Sequence, residues 1–205
     1  MLALLLSMSP SWASHQYYVW TGGSYAAEGV SDFVFYDENG SQTIAWGCNE
    51  GEFEGAFPPG IYTRPGVVGP VNSSDWIDCT GPGGLNFAYA QHGTWDFVAT
   101  GPATKSLTDV VEGYVDNISM AVADTDFGGY VCQFTVSGTI DATLHEAETA
   151  GGQRIELHET QGNLVIDTVS APCLGTIGVG YTMDLIGTLE VDSYAPINID
   201  SPGHS

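Results

Sequence analysis

The chain has 205 residues, 43% of them hydrophobic, and carries 25 Asp and Glu against 3 Lys and Arg, a formal net charge of −22. That length suits one domain with a real core, and the hydrophobic content is that of a folded globule, not a disordered chain. So negative a surface repels nucleic acid and anionic membranes, which excludes polyanion binding as a function class.

Taken in chain order, Leu2 to Leu6 form a short apolar run, and Ser11-Trp12-Ala13 then offers the small residues that a signal peptidase reads. Residues 1–13 are expected to be a signal peptide cleaved after Ala13, although no positively charged segment precedes the run; the plain alternative is an apolar first strand. No later run approaches the ~18 apolar residues of a membrane-spanning helix. The expectation is a secreted, extracellular protein with a single β domain over residues 14–205.

From there a period of two dominates. Residues 17–20, 33–36 and 43–48 read as strands, with Asp37-Glu38-Asn39-Gly40 as a turn that tolerates positive φ. Residues 51–71 carry Pro58-Pro59-Gly60, Pro65-Gly66 and Gly69-Pro70, and read as a long surface loop. Residues 76–79, 85–89 and 95–99 continue the strand series, while 107–115 fits either a helical turn or another strand. The clearest alternation places Phe134, Val136, Gly138, Ile140, Ala142 and Leu144 on one face and polar residues on the other. A turn at 147–152 and a renewed apolar face at Ile155 and Leu157 predict a β-hairpin. Residues 164–166 form a shorter strand, and Met183, Leu185, Leu189 and Val191 mark another long one. About ten strands with closely spaced turns predict an all-β fold, an antiparallel β-sandwich or a closed β-barrel.

The four cysteines are Cys48, Cys79, Cys132 and Cys173. An even number in an exported chain reads as disulfides, and no CxxC or Cys/His cluster has zinc spacing. Three pairings are open. Nearest-neighbour pairing is preferred, because each bridge then staples one half of the chain.

Asp78-Cys79-Thr80-Gly81-Pro82, Cys132-Gln133-Phe134-Thr135-Val136-Ser137-Gly138-Thr139, Cys173-Leu174-Gly175 and the closing Gly-rich strand from Gly180 carry a resemblance. Over residues 76–202 the chain resembles a group of small secreted actinobacterial β-rich proteins with four cysteines, whose function is uncharacterised. The resemblance implies an exported β fold with paired cysteines. Its motifs are structural and imply no catalytic residue.

Candidate chemistry is sparse. No Gly-x-Ser-x-Gly elbow is present, and no catalytic residue is assigned. His145 and His158 fall on the solvent side of the hairpin, where they either approach to bind a metal weakly or are simply exposed polar positions. Glycoside hydrolysis needs two acids at a fixed separation, but 25 acids in sequence select no pair. Asp124-x-Asp126-x-Gly128 resembles the start of a calcium loop, and Glu50, Glu52 and Glu54 gather three acids near Cys48. Neither completes an EF-hand, and a β-turn and a solvated charged segment are the plain readings. No other cofactor is expected. Tyr62, Tyr17 and Tyr18 are the aromatics expected at the surface, where they could stack on a ligand.

Three functional readings follow. The first is a non-catalytic exported β protein that binds a ligand or cell-surface partner outside the cell, or is displayed there. The second is a barrel-type carrier with an apolar pocket lined by Met183 and Leu185. The third is a secreted hydrolase with two close carboxylates in a cleft, one with a raised pKa.

Overall fold

The computed structural model describes residues 16–104, 106–158 and 163–201. The expected signal segment, His15 and His204 lie outside the described residues. Strands dominate: β1 (Gln16–Thr21), β2 (Gly23–Tyr36), β3 (Gln42–Phe57), β4 (Gly60–Thr63), β5 (Gly66–Thr80), β6 (Asn86–Gln91), β7 (Trp95–Ala99), β8 (Val110–Asp124), β9 (Cys132–His145), β10 (Gln153–His158), β11 (Leu164–Pro172), β12 (Thr182–Ser193) and β13 (Asn198–Asp200).

Ten of these strands pair antiparallel in one large sheet, and the ladders lead back to their start. β12 pairs with β2, β2 with β3, and β3 with β5. β6 and β7 lie end to end between β5 and β8. β8 pairs with β9, and β10 and β11 lie end to end between β9 and β12. Neighbouring staves follow each other in sequence, as in an up-and-down barrel, and closure of this kind removes exposed edges.

The two-residue period explains the packing. Phe134, Val136, Ile140, Ala142 and Leu144 all point inward and are buried, as do Met183, Leu185, Leu189 and Val191. Aromatic rings fill much of the interior. Trp46 stacks on Phe87 at 4.6 Å and lies 4.3 Å from Phe35. Its indole Nε1 donates to the Tyr89 hydroxyl at 2.5 Å. Tyr89 stacks on Phe33, and Trp76 joins Phe33, Phe53, Tyr89 and Trp95. Burial pushes the Tyr25 and Tyr89 hydroxyls far above the usual phenol range.

A three-stranded sheet, β13-β1-β4, lies across one end. The Tyr17 hydroxyl donates to Gly101 O at 2.5 Å. Gln153 exchanges two hydrogen bonds with Ile197, at 2.7 and 2.8 Å, and Ser201 does the same with Ala103. We call this the capped end and the other the far end.

The two disulfides are Cys48–Cys79 and Cys132–Cys173, the nearest-neighbour pairing. Cys48 and Cys79 face each other across β3 and β5. Cys132 joins the start of β9 to the turn after β11.

Residues 51–71 differ from the loop that their Gly and Pro content predicts. Most of them belong to β3, β4 and β5. The glycines serve close strand approach: a Cβ on Gly55 would lie 2.2 Å from Pro70 O, and one on Gly69 2.3 Å from Ala56 O. Pro58, Pro59 and Pro65 occupy the short connections. Residues 107–115 resolve toward strand, since β8 begins at Val110. No helix among the described residues is long and apolar enough to cross a membrane.

Candidate functional site

Strand alternation and register together write an acidic line across the outer wall. Glu190 on β12 faces Glu28 on β2. Glu28 faces Glu52 on β3, and Glu52 faces Asp75 on β5. Directly opposed side chains on neighbouring strands stand about 5 Å apart at Cβ, where like charges repel. Desolvation first, and then Glu54, Glu28, Glu50 and Asp75, raise the Glu52 carboxyl above its ordinary range. At the other end of the line Arg154 faces Glu190 across the ladder, and its guanidinium bonds Glu156 at 2.9 Å.

Two shallow grooves open on this wall. One, of about 400 Å³, is lined by Glu52, Glu54, Asp75, Ser74 and Gln91. The other, of about 500 Å³, shares Glu54 and adds Asp192, Asn72 and Tyr194. In the first, Ser74 Oγ and Gln91 Oε1 are buried and accept no hydrogen bond from the protein.

Glu52→Gln is therefore expected to stabilise the fold by about 0.5–1 kcal/mol at low ionic strength, since one member of a repelling line is neutralised. Thermal unfolding at low and at molar salt checks this. The gain should vanish where salt screens the line.

The predicted calcium residues separate into two places. Glu50, Glu52 and Glu54 lie along the outer wall on β3. Asp124 is instead a buried loop staple at the end of β8. Its Oδ1 accepts Phe127 N at 2.7 Å, and its Oδ2 accepts Cys132 N at 2.8 Å and Val131 N at 3.1 Å. Burial raises this carboxyl, but the backbone N–H donors outweigh it and hold the group below its ordinary range. Asp126 turns away from Asp124 and accepts from the Asn86 N–H at 2.8 Å and its side-chain amide at 3.1 Å. Among the described residues, no group of three or more His, Cys, Asp or Glu is placed to hold a metal ion.

The tyrosines also diverge. Tyr17, expected at the surface, is fully buried against the capped end. Its strand runs between β4 and β13 and turns the ring inward, with the Arg64 guanidinium over it. Tyr18 stacks on Trp20 at 5.9 Å, and Tyr62 is half-buried, with its hydroxyl on Pro58 O. His145 and His158 are not brought together. His145 faces Arg154, whereas His158 lies at the opposite end of β10. His145 instead contacts Glu156 at 2.9 Å.

One buried carboxyl lies beyond the sequence reading. Glu146, just past β9, is buried at the capped end. Its Oε1 accepts Ile199 N at 2.6 Å and its Oε2 accepts the Asn198 amide at 2.9 Å. Burial and a hydrogen bond to Asp109 push its pKa up to about 9. Asp109 in turn holds Thr104 through Oδ2. This is a close acid pair with one raised member, but its remaining partners are backbone and side chains of the cap. It holds β13 onto the barrel. Its inward position follows from the same parity as Leu144, carried two residues further.

Comparison of the chain with protein-family models, with curated proteins and with solved structures finds no match.

Proposed function

We propose that this chain is an exported, non-catalytic β-barrel that binds a cationic partner on its outer surface, outside the cell. The observation that carries the reading is the line Glu190, Glu28, Glu52 and Asp75, held in place by strand register and faced by a cation, Arg154, only at its Glu190 end. A repulsive row is a cost to the fold that a cationic partner would turn into binding energy. Two disulfides support the export component.

The filled interior favours this over the carrier reading. Met183 and Leu185, the expected pocket lining, are fully buried in the same cluster as the aromatic rings. The hydrolase reading gains little from Glu146 and Asp109, because their neighbours are the cap itself.

Calorimetric titration with oligolysine and, separately, with palmitate tests the reading. Saturable oligolysine binding that weakens steeply with salt, without palmitate uptake, is the expected result. Stoichiometric palmitate binding that quenches tryptophan emission would establish a carrier instead.

A further inference from the structure

At the far end of the barrel three connections meet. Thr125 N bonds Asn86 O and Cys173 N bonds Val131 O. The Cys132–Cys173 bridge ties the second and third connections, and a Cβ on Gly83 would touch the Leu174 side chain at 3.3 Å. The Asp124 carboxylate fixes the middle connection through its N–H contacts. The result is a braced platform, not a set of loose tips.

That platform presents apolar side chains to solvent. Phe127 is 56% exposed, Tyr130 90% and Leu174 64%. Leu174 is held at φ 61° beside Cys173 at 51°. Left-handed backbone disfavours a residue with a Cβ, so glycine would be the natural occupant of an exposed turn there. The bond from the Thr176 hydroxyl to Cys173 O, at 2.6 Å, and the disulfide keep the turn in place. A leucine maintained against its backbone preference, pointing outward, is a feature of a contact surface.

Charge identifies what covers it. The acids at this end of the barrel include Asp126, next to Phe127 in sequence, and Asp37 and Glu38 in the turn between β2 and β3. Arg64 follows β4 and Arg154 lies at the start of β10, both at the capped end. Lys105, the third, falls in sequence between β7 and β8. A second copy of a chain with net charge −22 would be repelled, and so would an anionic bilayer.

We infer that the far end of the barrel, centred on Phe127, Tyr130 and Leu174, is a docking surface for a protein segment whose apolar side chains are ringed by Lys or Arg. This inference rests on the cationic-partner reading above and gives that partner a second, apolar contact, away from the acidic line.

The test uses a synthetic amphipathic peptide of Leu and Lys alone, titrated into the ¹⁵N-labelled protein, with oligolysine as the non-apolar control. Amide shifts should concentrate in residues 125–131 and 173–175. Phe127→Ser and Leu174→Gly should each weaken the peptide at least tenfold, and Ile61→Ser, equally exposed at the capped end, should not. Leu174→Gly should retain or raise the melting temperature, which separates lost contact from lost fold. Unchanged peptide affinity in both rim variants, with oligolysine still bound, would overturn the docking surface and leave the outer-wall reading standing. Failure of both probes to bind would overturn the reading itself. Rim-dependent binding to phosphatidylcholine vesicles, or rim-dependent self-association, in place of peptide binding would assign the platform to a bilayer or a second copy and overturn the inference.

Discussion

The double variant Cys132→Ala/Cys173→Ala is expected to lose about 4 kcal/mol of unfolding free energy, the chain-entropy value for opening a 41-residue span. The loss is large against the ~5–15 kcal/mol by which ordinary domains are stable. Native contacts near the bridge should largely persist, because Cys173 N still reaches Val131 O and the Asp124 carboxylate still collects its N–H donors. The local consequence falls on the far-end platform. Amide exchange at residues 125–131 and 173–177 should rise well beyond the global change. Denaturant unfolding of the variant, followed by hydrogen exchange at those amides, checks both. A loss under about 1 kcal/mol would mean that the barrel already restrains this span without the bridge.

The second large effect concerns pH. Glu146 keeps its proton in the folded protein until about pH 9, whereas in the unfolded chain it ionises near its ordinary value of 4.5. Between those values the folded state binds the extra proton, so this group makes stability fall as pH rises from about 4.5 to about 9. Above pH 9 the carboxylate must charge beside Asp109 beneath the cap. Glu146→Gln removes the titration, and the wild-type decline attributable to it is on the order of 3 kcal/mol or more. The amide also sets one N–H₂ group against a donor, either Asn198 Nδ2 or Ile199 N, which lowers stability at every pH alike. The readout is therefore the slope: the variant should show a clearly flatter decline between pH 5 and 9. An unchanged slope would mean that Glu146 is ionised in the folded protein.

Much of this fold was legible because strand patterning is local. Phe134, Val136, Ile140, Ala142 and Leu144 are buried as their alternation predicts, while Gly138, at φ 141° and opposite a register shift in β8, is only partly buried. Of the three open cysteine pairings, the one preferred because each bridge staples one half of the chain is the one present. Strand register was not legible, and register is what lines up Glu190, Glu28, Glu52 and Asp75, which lie far apart in sequence. Residues 51–71 misled because Gly and Pro mark turns in most contexts. Gly55 and Gly69 are needed where two backbones approach, a demand that only the neighbouring strand reveals. The Asp124-x-Asp126 pattern looked like a cation loop because carboxylates in a bend accept equally from metals and from N–H groups; here backbone donors converge on Asp124. Tyr17 lies beside Tyr18, outside the apolar–polar alternation that marks the other aromatics as core, and its burial depends on the cap sheet formed with β4 and β13.

The most direct measurement of the central claim is a ¹H–¹⁵N titration of the protein with oligolysine at low salt, read at two sets of signals. If a cationic partner binds the outer wall, the amides of Glu28, Glu52, Asp75 and Glu190 shift in a saturable way. The indole N–H signals of Trp46, Trp76 and Trp95, locked inside the barrel, stay where they are. Shifts confined to those indoles, or no saturable shift on the acidic line, would contradict the account.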